Sequence, residues 1–174
     1  MNNNPKPNLY LLVGYPGSGK TTLSKYISEK TNAVHLWADQ ERQAMFDFPS
    51  HSKEESDQLY NALDIKTSHL LANGMSVIFD TNLNYFDDRQ LLREIGRKNN
   101  ANNLLIWLTT PKHIAKTRAL HHTHRDKNGY IATMTEAEFE HLTNHLEKPT
   151  EIEQPIKIDG TKIDYQLVDS LLQL

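Results

Sequence analysis

Apolar and polar positions along the chain fall into blocks whose lengths separate strands from helices. Mostly apolar runs at 9–13, 33–37, 75–79 and 104–108, with a shorter one at 155–158, each predict a strand. Between them apolar residues recur at helical spacing. The run TTLSKYISEK predicts a helix ending near Lys30, before Thr31-Asn32, and a short helix is expected over 40–46. Leu59, Leu63, Ile65, Leu70 and Leu71 mark a further helix that Asn73-Gly74 stops. Leu91, Leu92 and Ile95 give a helix over 88–98 one apolar face.

Polar punctuation supplies the boundaries. Pro49 and the HSKEESD stretch interrupt the pattern after 40–46, and NNANN reads as a loop before the fourth strand. Pro111 sits where proline favours a helix start, with Ile114, Ala115 and Leu120 on its apolar side. Thr135 with Glu138 three residues on forms a capping box for a helix over 135–146, and a closing helix is expected over 165–172 after a turn at Gly160. Residues 121–133, HHTHRDKNGYIAT, lack periodicity and carry several potential cations, which predicts a mobile loop. Residues 1–8 read as a loosely held tail.

Strands alternating with helices predict an α/β fold: a parallel five-stranded sheet with helices on both faces, one domain over 9–174, and a lid at about 118–133. In such sheets ligands sit beyond the carboxyl ends of the strands. The positions to watch are therefore the glycine-rich turn after the first strand, Asp39 after the second, Asp80 after the third, 109–125 after the fourth and Asp159 after the fifth.

That first turn, GYPGSGKT at Gly14 to Thr21, fits G-x-x-x-x-G-K-[ST] between an apolar run and a helix. It makes the expected fold one of P-loop NTPase type. Glycines let successive N–H groups turn inward around a phosphate, so Gly14, Pro16, Gly17, Ser18, Gly19, Lys20, Thr21 and Thr22 are the expected nucleotide-binding segment. Lys20 brings a flexible charge to the β/γ-phosphates and Thr21 a hydroxyl to Mg²⁺. ATP and Mg²⁺ are the expected cofactors.

Composition narrows the class. At 174 residues and 37% hydrophobic, the chain suffices for one good core and is short for two. It has no cysteine, which excludes a disulfide scaffold and thiolate metal sites. MNNNPKPN resembles neither a signal peptide nor a membrane span, so a cytoplasmic enzyme with no membrane partner is expected. A net charge of −3 offers no general attraction to nucleic acid; a polynucleotide acceptor needs a local basic groove.

Phosphoryl transfer requires positioning, charge neutralisation and a proton acceptor for the attacking hydroxyl. Asp39 suits that last task, with Arg42 one helical turn on, although its position equally suits a helix N-cap. Asp80 stands where such enzymes hold the Mg²⁺ water shell, or caps a turn with Asn82. The absence of a following glutamate fits transfer to a substrate better than ATP hydrolysis. Arg118 and Arg125 are candidates to neutralise the moving phosphoryl as a loop closes, or are solvated side chains. His121, His122 and His124, and the pair His141 and His145, are read as solvated rather than metal-binding. Trp37 and Tyr130 are read as packing residues before base-stacking platforms.

GYPGSGKTT, DQER at Asp39 to Arg42, and DTNLN at Asp80 to Asn84 followed by Arg89 together resemble the 5′-kinase domain of bacteriophage-type polynucleotide kinase. They also resemble the wider group of small P-loop kinases that includes zeta toxins and chloramphenicol phosphotransferase. The resemblance covers about Tyr10 to Arg118. It implies Asp39 as general base, Arg42 on the acceptor's neighbouring phosphate, and Lys20 and Thr21 on the β/γ-phosphates and Mg²⁺. It further implies Asp80 at the metal or acceptor side, acceptor contacts at Asn82 and Arg89, and Arg118 as the first of two lid arginines. The second falls on His122, with Arg125 the nearest substitute. The family's phosphatase half has no counterpart, because KIDGT places Lys157 where a nucleophilic aspartate belongs. The expected function is ATP-dependent transfer to a polynucleotide 5′-hydroxyl. Transfer to a small molecule of antibiotic or nucleotide-sugar type, and nucleotide binding without transfer, stand as alternatives.

Overall fold

The computed structural model describes residues 5–121, 123–125 and 131–174. Of the expected tail, 1–4 lie outside them, as do His122 and Tyr130. Strands β1 (Asn8–Val13), β2 (Val34–Trp37), β3 (Val77–Asp80), β4 (Asn102–Leu108) and β7 (Ile156–Ile158) build one sheet in the order β2-β3-β1-β4-β7. Every pairing in it is parallel.

The period-two alternation of β1 sorts its side chains onto opposite faces. Leu9, Leu11 and Val13 pack with Leu59, Leu63 and Leu71 of α3 (Lys53–Ala72) and Leu92 of α4 (Phe86–Lys98). Tyr10 and Leu12 pack on the other face with Leu23 and Ile27 of α1 (Lys20–Thr31) and Val168 and Leu172 of α7 (Tyr165–Leu172). Leu9 to Leu12 have no exposed surface, so β1 is the axis of both cores. Helix α2 (Ala38–Met45) follows β2 directly, and α5 (Lys112–His121) packs Ala115 and Ala119 against Phe139 of α6 (Glu136–Asn144).

Three stretches differ from the sequence expectation, each for a local reason. Helix α3 starts inside the polar HSKEESD stretch because the Ser52 hydroxyl caps it, accepting the Glu55 amide at 3.2 Å. Strand β4 begins inside NNANN, where Asn102 pairs with Asn8 and the Asn103 side chain donates to the Arg93 carbonyl. The stretch expected as a mobile loop contains two strands, β5 (Thr123–Arg125) and β6 (Ile131–Thr133), paired antiparallel. Three residues per strand are too few for alternation to register as a pattern.

Candidate active site

The order of the sheet brings the ends of β1, β2 and β3 side by side, and a cleft of about 1800 Å³ opens over them. The turn after β1 forms its floor. Helix α1 begins at Gly19 with no side-chain cap, so its first N–H groups face the turn without an acceptor from their own helix. Gly17 has φ near +78°, and a Cβ there would collide with the backbone of α5 at the Ala115 carbonyl and the Ala119 nitrogen. Ser18 is buried, its carbonyl held by the Thr110 hydroxyl at 2.8 Å and in close contact with Gly160. The turn is thus seated between α5 and the loop after β7.

Lys20 Nζ donates to the Gly14 carbonyl at 2.8 Å and the Tyr15 carbonyl at 3.1 Å. Burial lowers its pKa, against the opposing charges of Asp80 and Asp39. The ammonium and both carboxylates line the same cleft. Thr21, second residue of α1, borders the same cleft, as do Pro16, Gly17 and Thr22.

Asp39 is the second residue of α2, whose N-cap is Trp37, and its exposed side chain lines the cleft without capping the helix. The N-cap alternative therefore falls away. Arg42, one turn on, is buried; its guanidinium binds the Glu55 carboxylate and, at 3.3 Å, the Ser56 hydroxyl. Burial pushes Glu55 up, but the Ser50 and His51 amides, the Ser50 hydroxyl and Arg42 together bring it down to about 2. Arg42 lines the cleft with its charge already matched.

Asp80 ends β3 with 3% of its surface exposed, and Asn82 lies exposed beyond it on the cleft wall. Arg89 departs from the expectation of an acceptor contact. It is fully buried, donating from Nε and Nη2 to Glu153 at 2.7 and 3.0 Å and from Nη1 to the Leu83 and Asn84 carbonyls. All the partners of this guanidinium are internal, so it braces the DTNLN turn from behind instead of touching a ligand.

Arg118, in the last turn of α5, donates to the Gly160 and Thr161 carbonyls at 2.6 and 2.7 Å. It borders both the main cleft and a side pocket of about 210 Å³ shared with Gly19, Thr22, Thr161 and Tyr165. Arg125 belongs to β5, but its side chain, like that of His124, lies outside the described residues. The rings of His141 and His145 lie 4.6 Å apart at the cleft rim, tilted by 53°, and among the described residues no group of three metal-binding side chains forms. Trp37 lines the cleft with the Lys25 ammonium 5.9 Å above its ring.

Sequence reasoning missed one side of the cleft. Tyr60 and Asp64 lie one turn apart on α3, opposite Asp88 of α4. Burial and the like charge of Asp88 raise Asp64 to about 6, and burial with the charge of Asp87 raises Asp88 despite Arg89. The i, i+4 spacing of Tyr60 and Asp64 puts them on one face, but nothing in the sequence says that this face meets a cleft.

The fold is shared with solved proteins. Kti12 of Chaetomium thermophilum, in complex with ADP-AlF3, superposes with a TM-score of 0.72 at 16% identity, covering 95% of this chain and 97% of that one. A sugar kinase from Janibacter sp. HTCC2649 gives 0.69 at 19%, covering 96% and 93%. A chain of the Pnkp1/Rnl/Hen1 RNA repair complex gives 0.63 at 22%, covering 88% of this chain and 48% of that one. At such identities the likeness is one of fold. Comparison with curated protein sequences returns no match. The family model for the AAA domain matches residues 9–149. Among the described residues no helix is long and apolar enough to cross a membrane.

Proposed function

From the premise that this chain belongs to the AAA domain family over residues 9–149, we propose that it is an ATP-dependent kinase acting on an acceptor hydroxyl. The observation that carries the reading is Asp39: an uncapping, exposed carboxylate in the same cleft as the phosphate-loop lysine and close enough to act on its charge.

In this reading the loop amides and the Lys20 ammonium hold the β- and γ-phosphates. Asp80 and Thr21 are oxygen donors at the cleft edge, a set that suits Mg²⁺ bound largely through water and phosphate. When bound, that ion would neutralise phosphate charge. Asp39 accepts the proton of the acceptor hydroxyl as its oxygen attacks the γ-phosphorus, and the bond to the β–γ bridging oxygen breaks. Arg118 stands between the cleft and the side pocket, within reach of either the phosphates or the base. The Gly160 and Thr161 carbonyls that it now occupies are acceptors, which suits the exocyclic amine of a purine base.

The charges around the acceptor end favour a small hydroxylic molecule, uncharged or cationic. Asp39, Asp64 and Asp88 face it, while Arg42 is matched by Glu55 and Arg89 by Glu153. A polynucleotide 5′-end is the second reading, supported by Arg42 at the cleft wall one turn from Asp39; its phosphate would have to displace Glu55 from Arg42. Labelled ATP with Mg²⁺ and a panel of sugars, aminated sugars, antibiotics and 5′-hydroxyl oligonucleotides tests both. Asp39→Asn should lower transfer by roughly 10²–10⁴-fold with ATP affinity retained. Undiminished transfer in that variant would remove the base from Asp39, and labelling of oligonucleotides alone would overturn the small-acceptor preference.

A further inference from the structure

Asp80 poses a problem that its own strand does not solve. A carboxylate with 3% of its surface exposed must present one oxygen to the cleft in a fixed orientation, yet nothing on β3 restrains the rotation of its side chain. The neighbouring strand does. In the β2–β3 register Trp37 lies opposite Asp80 and His35 opposite Ile78, so the parallel strands bring His35 and Asp80 to the same face of the sheet. The His35 Nε2 lies 2.9 Å from Asp80 Oδ2. A carboxylate accepts only, so Nε2 carries the proton, whether the ring is neutral or charged. The ring is mostly covered, with 17% of its side chain exposed, and runs nearly parallel to that of Trp37 at 6.4 Å.

We propose that His35 is a positioning residue for the metal–nucleotide site: by holding Oδ2 of Asp80, it turns Oδ1 toward Lys20 and the cleft. The inference rests on the nucleotide-site reading above but not on the identity of the acceptor. Outer hydrogen-bond partners of this kind typically contribute 10–100-fold to metal affinity, because they fix the rotamer of the ligating group before the ion arrives. His35 touches no part of the cleft itself, so its effect passes through Asp80 alone. Glutamine can place a side-chain N–H near the position of Nε2; alanine cannot.

The experiment follows binding of a fluorescent ATP analogue to the full chain in EDTA and across a Mg²⁺ titration, with Mn²⁺ binding read by electron paramagnetic resonance. For His35→Ala the half-saturating Mg²⁺ and the Mn²⁺ dissociation constant should rise by about 10-fold or more. Affinity in EDTA should stay at its wild-type value even where the thermal midpoint falls with the loss of the Asp80 donor, and His35→Gln should recover most of the metal affinity. An unchanged Mg²⁺ titration in His35→Ala overturns the proposal, as does a parallel fall of affinity in EDTA, or a glutamine variant as weak as alanine. If wild-type protein binds the nucleotide equally well with and without Mg²⁺, the metal-site reading falls too, and that result is distinguishable because it needs no variant.

Discussion

Replacing Arg89 by methionine removes the cation from a pair with no solvent contact on either side and tests whether that arginine is a brace. Arg89 and Glu153 are both 0% exposed and joined by two hydrogen bonds, and a third and a fourth run to the Leu83 and Asn84 carbonyls. In the variant Glu153 keeps the Thr150 amide at 3.0 Å but faces no charge, and the buried Leu83 carbonyl loses its donor. Breaking one side of such a pair costs about 3–5 kcal/mol. For a domain of this size each kcal/mol moves the midpoint by roughly 2–4 °C, so the thermal midpoint should fall by about 6–20 °C. Burial pushes Glu153 up while Arg89 and the Thr150 amide hold it below the usual carboxylate range. Without Arg89 burial prevails, the carboxyl binds a proton more readily, and the defect should shrink as pH falls. Urea unfolding followed by far-ultraviolet circular dichroism at pH 7 and pH 5 measures this. Arg89→Met combined with Glu153→Leu removes both charges and should recover most of the loss. A single variant within about 1 kcal/mol of wild type, or a double variant no better than the single, would refute the bracing role.

Asp64→Asn should stabilise the protein near pH 8 and leave it unchanged near pH 3.5. The folded pKa of about 6 lies above the ordinary 3.8, so the carboxyl favours folding below that range and loses its contribution as pH rises through 6. A denaturant midpoint measured across pH checks it, and an equal effect at both ends would contradict the placement opposite Asp88. Glu55 behaves in the opposite sense. With its folded pKa of about 2 below the usual 4.5, its contribution is present above 4.5 and fades toward pH 2, so Glu55→Gln should lower the midpoint at pH 6 and flatten the acid limb. Gly17→Ala meets backbone, not a flexible side chain, and also a left-handed φ. Nucleotide affinity should drop by roughly 5- to 150-fold in an equilibrium titration, since strain of this kind costs roughly 1–3 kcal/mol; retained affinity would show that α5 can yield.

The features legible in the sequence are those in which spacing itself encodes geometry. The glycine spacing of the turn after β1 and the Thr135–Glu138 capping box are local: Gly17 and Gly19 take the left-handed φ that other residues avoid, and Thr135 Oγ1 accepts the Glu138 amide at 3.2 Å. Five apolar runs identified five parallel strands, because strands covered on both faces need no alternation. Ser52 and Glu55 carried a similar capping signal that polar composition obscured. Arg89 was misplaced because its partner stands 64 residues later, and a basic residue early in a helix looks the same whether it faces in or out. His35 was unremarkable within an apolar strand; only the register of β2 on β3 makes it a neighbour of Asp80.

Helix α5 meets the turn after β1 through Ala115 and Ala119 and grips the β7–α7 loop through Arg118, which lies about 4.5 Å along the axis from Ala115. Over less than one turn of α-helix the backbone moves as a unit, so the height of the loop proposed to hold phosphate and the aim of the guanidinium are a single adjustment. A deletion or insertion of one residue between Ala115 and Arg118 would swing Arg118 by about 100° around the rod and carry Ala119, the other half of the seat of Gly17, with it. The length of this segment, more than the identity of its side chains, is the quantity that the architecture cannot let drift.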